Sequence, residues 1–231
     1  LALGSLDETA VGDYLGARFG AGASDDGQRS LARALHERTD GIPLFVVSVA
    51  NDLVARGAIV GGEGRWTALP EASAAVGEVP ASLRKLLERQ FDQLGAEERT
   101  LLEVAAVAGL EFSAAAVAAG LEGDTAAAEA SCETLARREQ WLTPCGSVEW
   151  PDRTLTARYG FAHALYRDVT YRRIPAARRA QLHLRIGERA EAAFGMRAAE
   201  IATELALHFE QGRDPDRAAK YLEQAAANAM R

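Results

Sequence analysis

Few residues of the types that perform catalysis or bind metals are present. None of them is spaced along the sequence as in a known catalytic or metal-binding motif. The histidines lie in predicted helices and form no HExxH or similar ligand pattern; they are His36, His163, His183 and His208. Cys132 and Cys145 have no further cysteine or histidine at metal-ligand spacing, so we expect two reduced structural thiols. No nucleophile and base form a recognisable pair. We therefore predict neither a catalytic residue nor a metal site.

A loop that would grip nucleotide phosphates is also missing. The GxxxxGK[ST] pattern, whose backbone amides and lysine hold phosphates, does not occur. The only lysines, Lys85 and Lys220, follow no glycine-rich segment, and the glycine-rich stretches at 20–27 and 61–64 carry acidic residues that would repel phosphate. The chain alone should therefore not bind or hydrolyse ATP by this mechanism.

Length and charge exclude several classes of protein. The chain has 231 residues, enough for two or three compact units, and a formal net charge of -7. A negative surface disfavours broad attachment to nucleic acid or to an anionic membrane. The longest apolar runs fall far short of the roughly 20 residues that cross a bilayer. Because the sequence begins at Leu1 without an export signal and ends inside a helical pattern, we expect a segment of a longer cytoplasmic protein.

Apolar residues recur at helical spacing through most of the chain, which predicts a mainly α-helical fold. We expect residues 1–69 to form a helical subdomain that ends in a hairpin. Helices are predicted there over Leu6 to Phe19, from Gln28, and over Leu44 to Arg56, and two extended stretches follow around the glycine turn at 61–64. We interpret residues 70–79 as a linker.

A different order of elements is predicted for residues 80–174. Four helices precede a second hairpin, formed by residues 140–145 and 154–161, and another helix begins near His163. Ser113 and Asp124 are suited to cap two of the four helices, which span Ala81 to Leu94, Ala96 to Ala108, Ser113 to Gly120 and Asp124 to Glu139. Several short helices followed by a two-stranded hairpin is the order of a winged-helix domain.

Residues 175–231 are predicted to be helical throughout. Helices are expected over Ala176 to Phe194, over Arg197 to Gln211, and from Asp214, with Pro215 in the first turn. The last two carry apolar stripes: Ile201, Ala202, Leu205 and Phe209 in one, and Ala218, Tyr221, Leu222, Ala225 and Ala229 in the other. Small residues at packing positions indicate an antiparallel, TPR-like pair of helices, although an isolated helical hairpin would give the same pattern.

Residues Thr39 to Val46, TDGIPLFV, resemble the glycine-x-proline motif in the lid of STAND-class signal-transduction ATPases. The surrounding stretch, Leu31 to Arg56, is similar to the lid of bacterial predicted ATPases of this class, including relatives of the maltose-regulon activator and proteins that accompany adenylate-cyclase domains. Pro80 to Gly109 resembles the opening of their winged-helix region. Tyr159 to Tyr171, followed by Arg178 to Glu191, resembles the segment that leads into their helical repeats. The resemblance covers nearly the whole chain in the expected order.

The resemblance implies roles for three residues. Gly41 would form the tight turn, and Pro43 would pack against an adenine ring; a helix-starting proline without any ligand is the other interpretation. His163 is the candidate for a winged-helix histidine that contacts the β-phosphate of bound ADP. It stands between Ala162 and Ala164, not in the methionine-histidine-aspartate pattern best known for that role, and a purely structural histidine is the alternative.

The function that the resemblance implies is regulatory. An upstream P-loop domain of the same chain would bind and hydrolyse ATP, and this segment would close over ADP and pass the nucleotide state to a protein effector through its helical repeats. ADP or ATP would then be bound only by the full-length protein. The alternative is a nucleotide-independent helical scaffold, or a fragment of a winged-helix transcription factor, that binds protein or DNA.

Charge disfavours DNA binding. The helix that would enter the major groove, Asp124 to Glu139, carries four acidic residues against Arg137 and Arg138, so it would repel phosphate. Seven arginines follow the second hairpin, and they indicate either a solvated helix face or a docking surface for an acidic partner or the nucleotide domain. They are Arg167, Arg172, Arg173, Arg178, Arg179, Arg185 and Arg189.

Overall fold

The computed structural model describes residues 5–19, 21–22, 25–62, 65–68, 81–138 and 141–230. In these ranges the fold is mainly helical, with two small three-stranded sheets, as the apolar periodicity predicts for the helices. No helix within the described ranges is long and apolar enough to span a membrane. The chain divides into two compact units, residues 1–89 and 90–231. The predicted linker at 70–79 lies outside the described residues.

The N-terminal unit combines helices with a short sheet. Its helices are α1 (Glu8–Phe19), α2 (Asp25–Thr39), α3 (Pro43–Ala55) and α4 (Ala81–Asp92), the last of which continues into the second unit. Its strands are β1 (Ala21–Gly22), β2 (Ile59–Gly62) and β3 (Arg65–Ala68). β3 pairs antiparallel with β2, which confirms the predicted first hairpin, and parallel with β1, which the sequence does not predict.

The core of the N-terminal unit forms from α1, α2 and α3. Val11 and Leu15 lie one turn apart on α1, as do Leu31 and Leu35 on α2, and all four are fully buried. α3 contributes its own buried positions at helical spacing; they are Val46, Val49, Ala50 and Leu53. Burying one such leucine or valine stabilises the fold by roughly 1.5–3 kcal/mol. This shared core fixes the two helices on either side of the turn at residues 40–42.

The first part of the second unit alternates helices and strands. They are α5 (Ala96–Ala108), β4 (Glu111–Ser113), α6 (Ala114–Leu121), α7 (Thr125–Ala136), β5 (Leu142–Glu149), β6 (Leu155–Phe161) and α8 (Ala164–Arg173). Both predicted caps are confirmed: Ser113 Oγ accepts a hydrogen bond from the amide of Ala116, and an Asp124 carboxylate oxygen accepts one from the amide of Ala127. α7 ends at Ala136, three residues earlier than predicted.

The second sheet is antiparallel and has the strand order β4-β6-β5. It packs with α5, α6 and α7 around one core. Trp141, just before β5, is almost fully buried, with its ring centre 5.8 Å from that of Phe91 and 4.7 Å from that of Tyr166. Edge-to-face and tilted aromatic pairs of this kind add to the stabilisation from burial. The hairpin is thereby tied to helices that are distant in sequence.

The last part of the chain is helical, but two details of the prediction are wrong. The elements are α9 (Ala176–Phe194), a 3-10 helix (Gly195–Ile201), α10 (Ala202–Gln211) and α11 (Pro215–Ala229). The helix predicted from Arg197 therefore begins as a 3-10 helix, because Gly195, with φ of 50°, ends α9 and a short apolar pattern does not separate the two helix types.

The second error concerns the packing face of α11. Ala218 and Tyr221 are buried, whereas Leu222 is 54% exposed and Ala229 is also exposed. Tyr221 stacks on Phe209 of α10, with ring centres 5.8 Å apart. The contact between α10 and α11 is centred on Tyr221, so Leu222, one residue further around the helix, is turned towards solvent.

A hydrogen-bonded chain of side chains joins α8, α9 and α10. The Tyr171 hydroxyl lies 2.9 Å from His183 Nε2, and His183 Nδ1 lies 3.0 Å from His208 Nδ1. Both histidines are buried. Two facing N–H groups would repel, so the pair is compatible with at most one proton between the two Nδ1 atoms. Burial lowers the pKa of His183 to about 3, with further lowering by His208, Arg179 and Arg167, and burial lowers the pKa of His208 to about 4.

The histidine pair predicts a loss of stability in acid. In the unfolded chain each histidine takes up a proton as the pH falls below about 6.5, whereas in the fold His208 stays neutral down to about pH 4. The unfolded state binds more protons in this window. The free energy of unfolding should therefore fall between pH 6.5 and pH 4, by up to about 1.4 kcal/mol per pH unit for each histidine. Urea denaturation followed by circular dichroism measures this loss.

The control compares how steeply the free energy of unfolding falls with pH in different variants. The double variant His183→Gln, His208→Gln should be less stable at pH 7, because it loses the buried contacts, but its stability should fall less steeply towards pH 4. His36→Gln, on α2, removes a histidine outside the pair and controls for the loss of a histidine as such. A double variant as acid-sensitive as the wild type would contradict the assignment.

Candidate functional site

The segment that resembles the lid motif is a tight turn between α2 and α3. At the end of α2 the Thr39 hydroxyl donates a hydrogen bond of 2.6 Å to the carbonyl of Leu35. Asp40 and Gly41 then adopt left-handed backbone conformations, with φ of 47° and 68°. The amide of Ile42 donates back to the carbonyl of Thr39. Two consecutive left-handed residues therefore reverse the chain directly before α3.

Gly41 is required here by the backbone as well as by its φ angle. The amide of Leu6 donates a 2.8 Å hydrogen bond to the carbonyl of Gly41, which brings the two segments into contact. A Cβ atom at position 41 would lie 1.8 Å from the carbonyl oxygen of Leu6. Glycine is thus the one residue type that fits, because any side chain would collide with the neighbouring backbone.

Pro43 is the first residue of α3 and is partly exposed. Proline suits this position because its φ is already helical and its missing N–H would have no helical partner. Leu44 beside it is 48% exposed. The start of α3 therefore presents two apolar side chains to solvent. The amides of Phe45 and Val46 both donate to the carbonyl of Ile42, which leaves fewer free donors for a phosphate at this helix start.

His163 belongs to the second unit and is buried, with 2% of its surface exposed. It caps the N-terminus of α8: its Nδ1 accepts a 3.0 Å hydrogen bond from the amide of Leu165. An accepting Nδ1 places the proton of the neutral ring on Nε2. A phosphate could therefore meet the ring only through Nε2, and only if the atoms that cover the ring moved aside. His163 has a defined structural role, while contact with nucleotide stays a prediction.

The cysteines and the possible metal ligands are the remaining candidate groups. Among the described residues no three or more histidine, cysteine or acidic side chains are grouped to hold a metal ion. Both cysteines are free, Cys132 buried and Cys145 exposed. Burial raises the pKa of the Cys132 thiol to about 12, so it remains protonated and a poor nucleophile at neutral pH. Gly41 and Pro43 lie in one unit and His163 in the other.

Most of the arginines that follow the second hairpin are neutralised within their own unit. Five of the seven form ion pairs, and the acidic partners lie on α4, α5 and α8, directly after α6 and in the β5–β6 turn. The pairs are Arg167–Asp168 at 3.7 Å, Arg173–Asp92 at 2.5 Å, Arg178–Glu103 at 3.0 Å, Arg185–Glu122 at 2.7 Å and Arg189–Asp152 at 2.9 Å. Among the described residues only Arg172 and Arg179 of this set have no ion pair. The basic surface is thus much smaller than the sequence indicates.

The exposed residues of α7 carry small or hydroxyl side chains, and the acidic side chain of Glu133 is partly exposed beside them. The exposed residues are Ala126, Ala127, Ala130, Ser131 and Thr134. The helix contains no arginine, lysine, asparagine or glutamine. The two arginines directly after it are paired, Arg137 with Glu133 and Arg138 with Glu98. Neutralisation of DNA phosphates requires basic side chains, and this helix carries none.

Sequence reasoning missed a small cavity in the second unit, lined among others by Trp150, Phe194 and Glu204. Trp150 directly follows β5, Phe194 ends α9 and Glu204 lies at the start of α10. No short motif contains them, so no local signal could have identified them.

Comparisons with protein-family models, with curated proteins and with solved structures found no match. The residues and the geometry therefore carry the functional argument.

The turn predicts a large destabilisation for Gly41→Ala. Alanine would adopt an unfavourable left-handed conformation and would also collide with Leu6, so the free energy of unfolding should fall by more than about 2 kcal/mol. Gly57→Ala is the matched control, because Gly57 has φ of 73° but no atom within 4 Å of an added Cβ. It should cost only about 1 kcal/mol. Hydrogen exchange in α2 and α3 measures both, and equal costs would contradict the role of the Leu6 contact.

The cap predicts different effects for two substitutions of His163. Asparagine retains a side-chain acceptor for the amide of Leu165, whereas alanine leaves this amide without its partner. His163→Ala should therefore be less stable than His163→Asn by about 1 kcal/mol in urea denaturation. Equal stability of the two variants would show that the cap contributes nothing.

Proposed function

We propose that this chain is a regulatory segment of a bacterial STAND-type ATPase. In this proposal an upstream P-loop domain binds and hydrolyses ATP, and the segment closes over bound ADP. Exchange of ADP for ATP releases the closure and frees the helical repeats for a protein effector. The switch works because nucleotide binds the two arrangements unequally. The proposal places the protein in the cytoplasm.

The turn at Gly41 and Pro43 is the observation that carries the proposal. It combines an obligatory glycine, a helix-starting proline and an adjacent exposed leucine within eight residues that resemble the lid motif. A partly exposed proline ring offers a flat apolar surface to a base without competing for its hydrogen bonds. Proline, unlike a polar residue, would contribute mainly by excluding water from the contact.

The order of elements in the second unit supports the winged-helix part of the proposal. α5, β4, α6 and α7 precede the β5–β6 hairpin, and β4 joins this hairpin as a third strand next to β6. A three-helix core with a hairpin wing has this order. The face of α7 without basic side chains favours a role within the molecule over DNA recognition.

The end of the described chain supports an interaction role for the last helices. α10 and α11 form an antiparallel pair closed by the Phe209–Tyr221 stack. Leu207 and Leu222 are 51% and 54% exposed. Exposed leucines on a helical hairpin are suited to stacking against a further helical unit, as repeat proteins require. The same leucines would serve the alternative of a nucleotide-independent scaffold that binds protein.

The upstream coding sequence discriminates between these functions. The regulatory proposal requires a GxxxxGK[ST] loop after a predicted strand in the residues that precede Leu1. Calorimetry on the chain itself should detect no binding of ADP or ATP. Tight nucleotide binding by this chain alone, or an intact protein without an upstream phosphate loop, would overturn the proposal.

A second experiment tests the assigned residues in the full-length protein. Pro43→Ala should accelerate the release of bound ADP, because the helix start is kept but the ring is lost. Pro215→Ala is the matched control, since Pro215 also begins a helix, α11, outside the turn. His163→Asn, which preserves the cap, should accelerate release only if the ring contacts phosphate. ADP release at the wild-type rate in Pro43→Ala would remove the role of this residue.

A further inference from the structure

A cavity of about 190 Å³ lies in the second unit between the strands and the last helices. Trp150 follows β5, Phe194 ends α9, and Glu204 lies in the first turn of α10. Small and apolar side chains complete much of the wall; they include Ala108, Ala116, Val148, Ile186, Ala190 and Ile201. Apolar residues outnumber polar ones in the lining, while polar and apolar atoms share the cavity surface equally. Binding pockets combine apolar side chains with a few polar groups in this way.

The charges of the wall leave one carboxylate without compensation. Glu111 and Arg158 line the cavity together and form an ion pair of 2.5 Å with each other. Glu204 has no hydrogen bond or ion pair among the described residues. Glu204 lies at the open rim of the cavity, where its side chain is exposed to solvent, and the atoms around its carboxyl raise the pKa of that group. The three charged groups therefore sum to one net negative charge, located on Glu204.

The aromatic rings of the cavity also favour a positively charged ligand. The ring centres of Trp150 and Phe194 lie 6.3 Å apart. Arg189 already stacks on Trp150 at 4.8 Å, but Arg189 does not line the cavity, so it occupies a part of the ring outside it. Aromatic faces attract cations, most strongly where water is partly excluded. An unpaired carboxylate and two aromatic rings thus favour a positively charged ligand.

The volume limits the size of this ligand. A cavity of about 150 Å³ holds one molecule of benzene, and typical drug-sized ligands need roughly 300–1,000 Å³. The cavity of about 190 Å³ is therefore too small for a nucleotide and large enough for six to eight non-hydrogen atoms. A short alkyl chain with one ammonium or guanidinium group has this size.

We infer that this cavity binds a small organic cation, an alkylammonium or alkylguanidinium group, whose positive end pairs with Glu204 and whose carbon atoms contact Trp150 and Phe194. The carboxylate stabilises the charge, and the apolar wall gains from covering the alkyl chain. The site is separate from the residues assigned to nucleotide, and it does not depend on that assignment.

The inference is tested by titrating the isotope-labelled chain with n-butylammonium chloride and following the indole N–H signal of Trp150 by NMR. A saturable shift is expected. Butan-1-ol, which has the same chain without the charge, should bind at least about tenfold more weakly. No saturable shift, or equal affinity for the alcohol, would overturn the inference.

Two variants test whether the carboxylate of Glu204 binds the cation. Glu204→Gln should weaken butylammonium binding at least about tenfold, and it should not lower thermal stability, because Glu204 has no hydrogen bond or ion pair to lose among the described residues. Glu210→Gln on the same helix changes the charge equally but does not line the cavity, so affinity should stay at the wild-type value. Undiminished affinity in Glu204→Gln would overturn the inference even if butylammonium binds.

The source of the cation is distinguished by a third titration. An acetylated and amidated Gly-Lys-Gly peptide presents the same ammonium group on a chain. Binding as tight as that of butylammonium would support insertion of a basic side chain from a protein partner. Binding of butylammonium but not of the peptide would support a free small amine.

Discussion

The close approach of α9 and α10 is the contact on which the second unit depends. Gly187 permits it, since a Cβ atom there would lie 3.0 Å from His208 Cβ and 3.3 Å from the ring of Phe209. This approach places His183 against His208 and leaves Phe209 fully buried. A side chain at position 187 would separate the helices and admit water to two neutral histidines. The tight packing and the low basicity of the pair therefore have one cause.

The remaining faces of α9 connect it to the rest of the unit. Leu182 and Ile186 belong to the core shared with the sheet, whereas Ala190 belongs to the core of the last hairpin. Arg185 and Arg189 form ion pairs with groups near α6 and in the β5–β6 turn. One helix thus contributes to both cores and holds the surface around them. This explains why residues 90–231 form one compact unit, because neither core could be separated without exposing α9.

Most helices and strands could be predicted from short stretches of sequence, whereas the long-range contacts between them could not. The caps at Ser113 and Asp124 and the helical spacing of the leucines are encoded within a few residues, and the structure reproduces them. The exposed position of Leu222 and the 3-10 start of the segment after Gly195 depend on packing. A stripe of apolar residues in the sequence does not predict such packing. In the candidate site, a short sequence motif predicts Gly41 and Pro43, and their role stays a prediction. The sequence could not identify Glu204 and Trp150, which meet only through the tertiary fold.

In the proposed regulatory role, the distribution of charge and apolar surface limits how a signal could be transmitted. The arginine-rich segment is largely neutralised by internal ion pairs, and α7 carries no basic side chain. Long-range electrostatic attraction is therefore weak in these regions. Exposed groups that can still gain by contact include the apolar pair Pro43 and Leu44 and the leucines of the last hairpin. Short-range contacts require close fit, so a change of state would act through packing that forms or breaks as a whole, with little dependence on ionic strength.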